Sequence, residues 1–75
     1  MKAYNGHRSW NAWNVSLWIA NDEPLYRLAL DCLEHSATLA KAVRLFILEV
    51  GVQYTPDGAR YTVRSVHDAL KGLRD

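Results

Sequence analysis

The stretch NDEPLYRLALDCLE, residues 21–34, decides the fold class of this chain. Asp22 can cap free backbone N–H groups, and Pro24 is tolerated in a first helical turn, where its missing N–H costs nothing. Beyond this start signal, apolar side chains recur at intervals of three and four residues: Leu25, Leu28, Ala29, Cys32 and Leu33. Such spacing is typical of an amphipathic α-helix with one buried face, so it predicts a helix over residues 24–35.

Three further segments on either side have helical patterns. Residues 11–20 are apolar nearly all round, which predicts a central and mostly covered helix. Thr38 can cap a helix over residues 38–50, and Gly51 can end it in a left-handed conformation. Ser65 and Asp68 match a capping box and predict a short helix over residues 65–73.

Residues 53–62 leave two interpretations open. Thr55-Pro56-Asp57-Gly58 predicts a turn, in which Asp57 bonds back to the local chain and Gly58 accepts a positive φ. The flanking residues have β-propensity, so the segment can form a small β-ribbon or an irregular connection. We favour the irregular connection, because an isolated hairpin is marginally stable in water.

Together these patterns predict an all-α fold, a compact bundle of three to four short helices. The 75 residues form a single domain over 1–75, with residues 1–9 as a polar N-terminal arm. A composition of 49% hydrophobic and 11% aromatic residues excludes a disordered chain. The short length makes an enzyme with an interdomain cleft implausible.

Charge and hydropathy limit the partners. Nine Lys and Arg against eight Asp and Glu give a net charge of +1, whereas nucleic-acid binders usually carry a clear basic excess. We therefore expect no dedicated nucleic-acid binding. Apolar runs such as residues 45–48 are far too short for a membrane span, and the N-terminus lacks the apolar stretch of a signal peptide. A cytoplasmic protein without membrane association is expected.

The sequence also lacks the residue patterns of a catalytic or metal centre. His7, His35 and His67 are widely separated, and no phosphate-binding glycine loop is present. The single cysteine, Cys32, excludes an internal disulfide framework. Its place in an apolar stripe predicts a buried, inert thiol. We expect no catalytic residues, no metal, no cofactor and no enzymatic activity.

Three tryptophans within nine residues are the most unusual feature. Trp10, Trp13 and Leu17 share one arc of the first helix, and we expect them to point into the core. Trp18 is turned away from Trp13 and is the ring expected to reach the surface, with Tyr26 as its neighbour. Exposed aromatic rings are frequent anchors of protein interfaces.

Two asparagines lie on the arc beside these rings. Asn14 and Asn21 are seven residues apart, and asparagine is a mediocre residue for a helix interior. We favour a structural role, in which the amides fix the following turn or the N-terminal arm. The alternative is contact with a partner, and the candidate partner-binding set is Trp18, Asn14, Asn21 and Tyr26.

Basic residues near the C-terminus offer a rival site. Arg60, Arg64, Lys71 and Arg74 could form a nucleic-acid-binding face. Acidic residues such as Asp68 interleave with them and weaken the positive field, so a solvated surface is the favoured interpretation.

The segment SWNAWNVSLWIANDEPLY, residues 9–26, resembles a family of small uncharacterised proteins from bacteriophages and mobile elements. The family motif reads N-[YW]-x-T-W-N-V-x-L-W-I-x-N-D-E-x-L-Y, often with T-P-D-G later in the chain, which residues 55–58 match. Ser9 stands here where the family usually has Asn, and Ala12 where it has Thr. If the family's Thr caps the first helix, then in this chain, where Ala12 replaces it, Asn11 must be the cap or the helix must start at another residue.

The resemblance implies a setting in which small proteins bind and block host machinery, including CRISPR effector complexes. It leads to the expectation of a non-enzymatic protein in the host cytoplasm that binds a host protein or complex as an anti-CRISPR or related anti-defence factor. Two alternatives remain: a nucleic-acid-binding or regulatory module that uses the basic cluster, and an accessory phage protein that associates with itself as a homodimer.

Overall fold

The computed structural model describes residue 7 and residues 9–74, and within them it contains four helices of 12 residues each. These are α1 (Trp10–Asn21), α2 (Glu23–Glu34), α3 (Leu39–Val50) and α4 (Val63–Arg74). The prediction of an all-α bundle is confirmed. Most of the predicted arm, residues 1–6 and 8, lies outside the described residues.

Side chains cap the first three helices at their N-termini. The Ser9 hydroxyl accepts from the backbone N–H of Ala12 at 3.1 Å, so Ser9 caps α1 and Asn11 does not. Thr38 caps α3 by accepting from the N–H of Lys41. These bonds satisfy N–H groups that the helices themselves leave without acceptors.

Asp22 alone joins α1 to α2. Its backbone N–H donates to the Trp18 carbonyl at 2.9 Å and closes α1, while its carboxylate accepts from the N–H of Leu25 and opens α2. One residue thus serves as the last cap of one helix and the first cap of the next.

The predicted start of α4 is wrong by two residues. Thr62 is the capping residue, since its hydroxyl accepts from the backbone N–H of Ser65 at 3.0 Å. In return the Ser65 hydroxyl accepts from the N–H of Thr62 at 2.9 Å. Ser65 therefore supplies the returning side chain of a capping box rather than its first residue, and Asp68 lies inside the helix.

The core lies between the helices, where α2 and α4 each pack against both α1 and α3. The Phe46 ring meets the buried Tyr61 ring edge-on, with centroids 5.9 Å apart. The interior is completed by small and branched side chains from all four helices: Val15, Ile19, Ala29, Cys32, Ala42, Val43, Val66, Ala69 and Leu70. The predicted burial of Cys32 is confirmed, at 2% exposure.

The predicted orientation of α1 is wrong. Trp10 and Leu17 keep 40% and 39% of their surface exposed, and Trp13 is only half-buried. The opposite face, with Val15 and Ile19, fills the core instead. Because α1 is apolar on almost every side, its pattern does not tell which face is inside, and smaller side chains allow its neighbours a closer approach.

The connection between α3 and α4 is irregular, as favoured above. Within the described chain no strand forms there, and the β-ribbon is reduced to one isolated antiparallel bridge between Tyr54 and Arg60. Gly51 at φ +79° ends α3, and Gly58 at φ +94° completes the predicted turn. In the described residues no helix is both long and apolar enough to cross a membrane.

Candidate functional site

The turn at residues 55–58 is bound to α1 through the buried amide of Asn14. The amide nitrogen of Asn14 donates to Asp57 Oδ2 at 2.9 Å, and its oxygen accepts from the Thr55 hydroxyl at 2.7 Å. Trp18, one helical turn further, donates its indole Nε1–H to the same Asp57 oxygen at 2.9 Å. We call these four residues, Asn14, Trp18, Thr55 and Asp57, the latch.

Thr55 is the buried member of the latch on the loop side. It is 4% exposed, and its hydroxyl also accepts from the backbone N–H of Ala59 at 3.0 Å. Its own N–H donates to the Ala59 carbonyl at 2.7 Å, and Gly58 donates to the Thr55 carbonyl. These bonds within the loop stabilise the conformation of the turn, and the bonds from Asn14 and Trp18 attach the turn to α1.

Asn11 continues this attachment along the loop. Its amide nitrogen donates to the Arg60 carbonyl at 2.9 Å, and its oxygen accepts from the Arg60 N–H at 2.8 Å. The side chain thus pairs with the loop backbone as a neighbouring strand would, which satisfies groups that an irregular segment otherwise leaves to water.

The electrostatics of the latch favour an ionised carboxylate. The bond from Asn14, and then that from Trp18, lower the pKa of Asp57 below its usual value, against a smaller opposing effect of desolvation. Hydrogen bonds donated to the charged form of an acid stabilise that form. Asp57 was expected to bond back to its own turn, whereas its carboxylate bonds to α1.

A shallow pocket of about 300 Å³ lies beside the latch, at the junction of α1 and α2. It is lined by Leu17, Trp18, Asn21 and Asp22, and its walls are mainly apolar. Trp18 is half-buried here, with its nitrogen engaged by Asp57. The pocket therefore offers a mainly apolar surface that Asn21 and Asp22 also line, a composition suited to one apolar side chain of a partner.

The structure brings together three of the four predicted site residues. Asn14 and Trp18 meet on Asp57, and Asn21 lies with Trp18 in the pocket wall. Tyr26 is 38% exposed on α2 and is not part of that wall. Asn14 is 2% exposed with both ends of its amide engaged, which supports its structural role, although it fixes a distant turn rather than the following one.

Asn21 bonds within its own helix, whereas the loop residues Thr55 and Asp57 bond to α1. The Asn21 side chain donates to the Leu17 carbonyl of its own helix, so it stabilises the last turn of α1. Sequence reasoning missed Thr55 and Asp57 as partners of α1. Two features of the sequence could have indicated this contact. The Asn14 amide and the Trp18 indole lie one helical turn apart and both need hydrogen-bond partners, and the turn at residues 55–58 supplies polar side chains.

The Cys32 thiol lies beside a histidine and two carboxylates. Cys32 lines a cavity of about 240 Å³ with His35, Asp31 and Glu49, but burial raises the pKa of its thiol, assisted by the charges of Glu49 and Asp31. A raised pKa disfavours the reactive thiolate. Among the described residues, no group of three or more His, Cys, Asp and Glu side chains is placed to hold a metal ion.

No curated protein and no solved structure matches the chain. A family model covers residues 1–71, and so includes all four residues of the latch and the walls of the pocket. The chain therefore belongs to the family of unknown function DUF7249.

Proposed function

We propose that this chain is a non-enzymatic protein that binds and blocks a protein or complex of a host cell. The observation that supports the proposal is the mainly apolar pocket beside Trp18, which Asn21 and Asp22 also line. Aromatic side chains beside polar groups form the energetic centres of many protein interfaces. Defence complexes, with CRISPR effectors first, are the targets to test, because the resemblance of residues 9–26 to proteins of bacteriophages and mobile elements suggests that setting.

The latch makes the pocket suitable for recognition. Trp18 is held by a hydrogen bond to Asp57, and Asp57 is held by the buried Asn14. A ring that is fixed before binding loses little conformational freedom on association, so more of the contact energy appears as affinity. A net charge of +1 leaves such a surface to recognise its partner by shape and apolar contact rather than by charge.

Affinity capture from a host lysate, with and without nuclease, is the first experiment. Recovery of a protein that survives nuclease treatment supports the proposal. Recovery that nuclease abolishes favours the nucleic-acid-binding alternative and its basic residues Arg60, Arg64, Lys71 and Arg74. The captured protein is then purified and titrated against variants, because recovery from a lysate does not show where it binds.

Two pocket variants and one control locate the interface. Trp18→Ala removes the ring and should weaken binding by more than ~1 kcal/mol. Asn21→Arg places a bulky charge at the rim from an exposed position, and so tests the pocket without altering the core. Leu48→Ala on α3, where Leu48 is 77% exposed, is the matched control and should leave binding unchanged. Equal binding by all folded variants would place the interface elsewhere.

A further inference from the structure

The outward side of α1 carries a row of apolar residues that the described chain leaves uncovered. Trp10, Trp13, Leu17 and Ala20 follow one another at intervals of three, four and three residues. Trp10, Leu17 and Ala20 are exposed and Trp13 is half-buried. We call these four residues the α1 outer face. Such spacing is that of a seam between two packed helices, in which side chains of one helix enter gaps in the other.

We propose that two copies of this chain pair weakly through their α1 outer faces, with the two helices antiparallel. The first argument is the order of side-chain sizes along the row. Positions 10 and 20 share a midpoint with positions 13 and 17. A two-fold axis through that midpoint places Trp10 of one copy opposite the second copy's Ala20, and Trp13 opposite Leu17. A large side chain then always faces a smaller one.

A parallel arrangement lacks this fit. It would place Trp10 against Trp10 at one end and Ala20 against Ala20 at the other, so the helices would be forced apart at one end and leave a gap at the other. Packing of large against small side chains keeps the axes of two helices at the normal 8–10 Å separation along their length. The antiparallel arrangement is therefore the one that these four residues favour.

The second argument is charge. From Trp10 to Asn21, α1 contains no Asp, Glu, Lys, Arg or His residue. A charged partner would therefore find no oppositely charged side chain on this helix. A second copy presents the same uncharged surface, so the two faces can pack without leaving a charge unpaired. In a two-fold dimer the same patch is used on both subunits, so the patch must be compatible with itself. The whole-chain charge of +1 adds little repulsion between copies.

The third argument concerns the affinity of the dimer, which depends on the area that the two faces can bury. Standard interfaces bury ~800 Å² on each partner. Trp10 and Leu17, the two large exposed side chains of the row, retain only 40% and 39% of their surface. One helix face of this kind falls short of that area, which points to a weak dimer that forms at high protein concentration. This inference does not depend on the proposed function, and it is tested on the purified chain alone.

Sedimentation velocity over about a hundredfold range of concentration measures the pairing. The expected result is a rise in mass toward that of a dimer as concentration increases. Ala20→Glu should weaken association at least ~tenfold, because the carboxylate would face the Trp10 ring of the second copy in an apolar seam. Glutamate is a good helix former, so the exposed substitution should not disturb folding.

Leu48→Glu on α3 is the matched control for added charge, since Leu48 is 77% exposed and lies outside the α1 outer face. It should associate like the parent chain. A parent chain that stays monomeric throughout the range overturns the proposal. Equal association by Ala20→Glu and the parent overturns it as well, since the pairing would then use another surface.

Disulfide trapping tests the antiparallel orientation. Ala20→Cys alone should give little cross-linked dimer, because the two introduced thiols lie at opposite ends of the antiparallel pair. Mixing Ala20→Cys with Trp10→Cys should give cross-linked heterodimer, and the native Cys32 is buried and can stay in place. Predominant cross-linking of Ala20→Cys with itself would show a parallel pair and contradict the proposed geometry.

Discussion

Asp57 accepts a hydrogen bond at 2.9 Å from the indole Nε1 of Trp18, thirty-nine positions earlier in the chain. The same carboxylate oxygen accepts from Asn14 at 2.9 Å, so one acid in a surface turn holds two residues of α1. The bond joins two distant parts of the chain, the first helix and the turn at residues 55–58. The residues that meet here have a structural task, since they fasten an irregular loop to α1.

Asn14→Ala should destabilise the fold by ~1–3 kcal/mol, because it leaves the buried Thr55 hydroxyl without its acceptor and removes one donor to Asp57. Asn21→Ala is the matched control, since Asn21 is exposed and bonds only within its own helix turn. Its effect should stay within ~0.5 kcal/mol. Urea melts of both variants measure the difference, and equal destabilisation would show that the latch contributes nothing.

The latch should make stability depend on acid pH through Asp57. The donors Asn14 and Trp18 lower its pKa in the folded state, so the unfolded chain binds the proton more readily. The stabilisation is full above the ordinary carboxyl pKa of about 3.9 and is lost as the pH falls through the lower, folded value.

Asp57→Asn keeps an oxygen that can accept a hydrogen bond but cannot ionise, so it provides the test. The parent chain should be the more stable at neutral pH, and its advantage over the variant should shrink between about pH 5 and pH 2. Denaturant melts at several pH values measure this. A difference that is constant across that range would mean that Asp57 does not titrate with folding.

Gly58→Ala should be destabilising by ~1–2 kcal/mol, because φ +94° is strained for any residue with a Cβ, although no atom lies within 4 Å of the added group. Gly72→Ala in α4 also meets open space, but at a helical position. It should stabilise by ~0.5–1 kcal/mol through the better helix propensity of alanine. Thermal melts of the two variants should therefore shift in opposite directions, and shifts of the same sign would contradict the backbone argument.

Cys32 should react slowly with thiol reagents in the native protein, because it is 2% exposed and burial raises its pKa. Cys32→Ala should cost roughly 1 kcal/mol of stability, as truncation of a core side chain does, and should leave binding by the folded protein intact. Labelling with a chromogenic disulfide in native and unfolded protein gives the comparison. Rapid labelling of the native thiol would show that the cavity beside it is open.

The sequence by itself located the four helical segments and placed nearly all their ends to within one residue. Helix ends depend on local interactions: Asp22 and Thr38 cap the starts of α2 and α3, and Gly51 ends α3. Each acts on residues within one or two helical turns, so the helix ends can be predicted from short stretches of sequence. The amphipathic stripe of α2 also placed Cys32 in the core, because a helix with one apolar face has only one face to bury.

Only the tertiary structure decided how α1 is oriented and what its polar residues bind. An apolar pattern on every side is compatible with several orientations, and the side that holds Val15 and Ile19 became the interior because its smaller side chains pack more closely. The partners of Asn14 and Trp18 lie 43 and 39 positions away on Asp57. Hydrogen bonds between such distant residues depend on the packing of the whole chain. The local sequence indicates that a buried amide or indole needs a hydrogen-bond partner, but it does not indicate which residue that partner is.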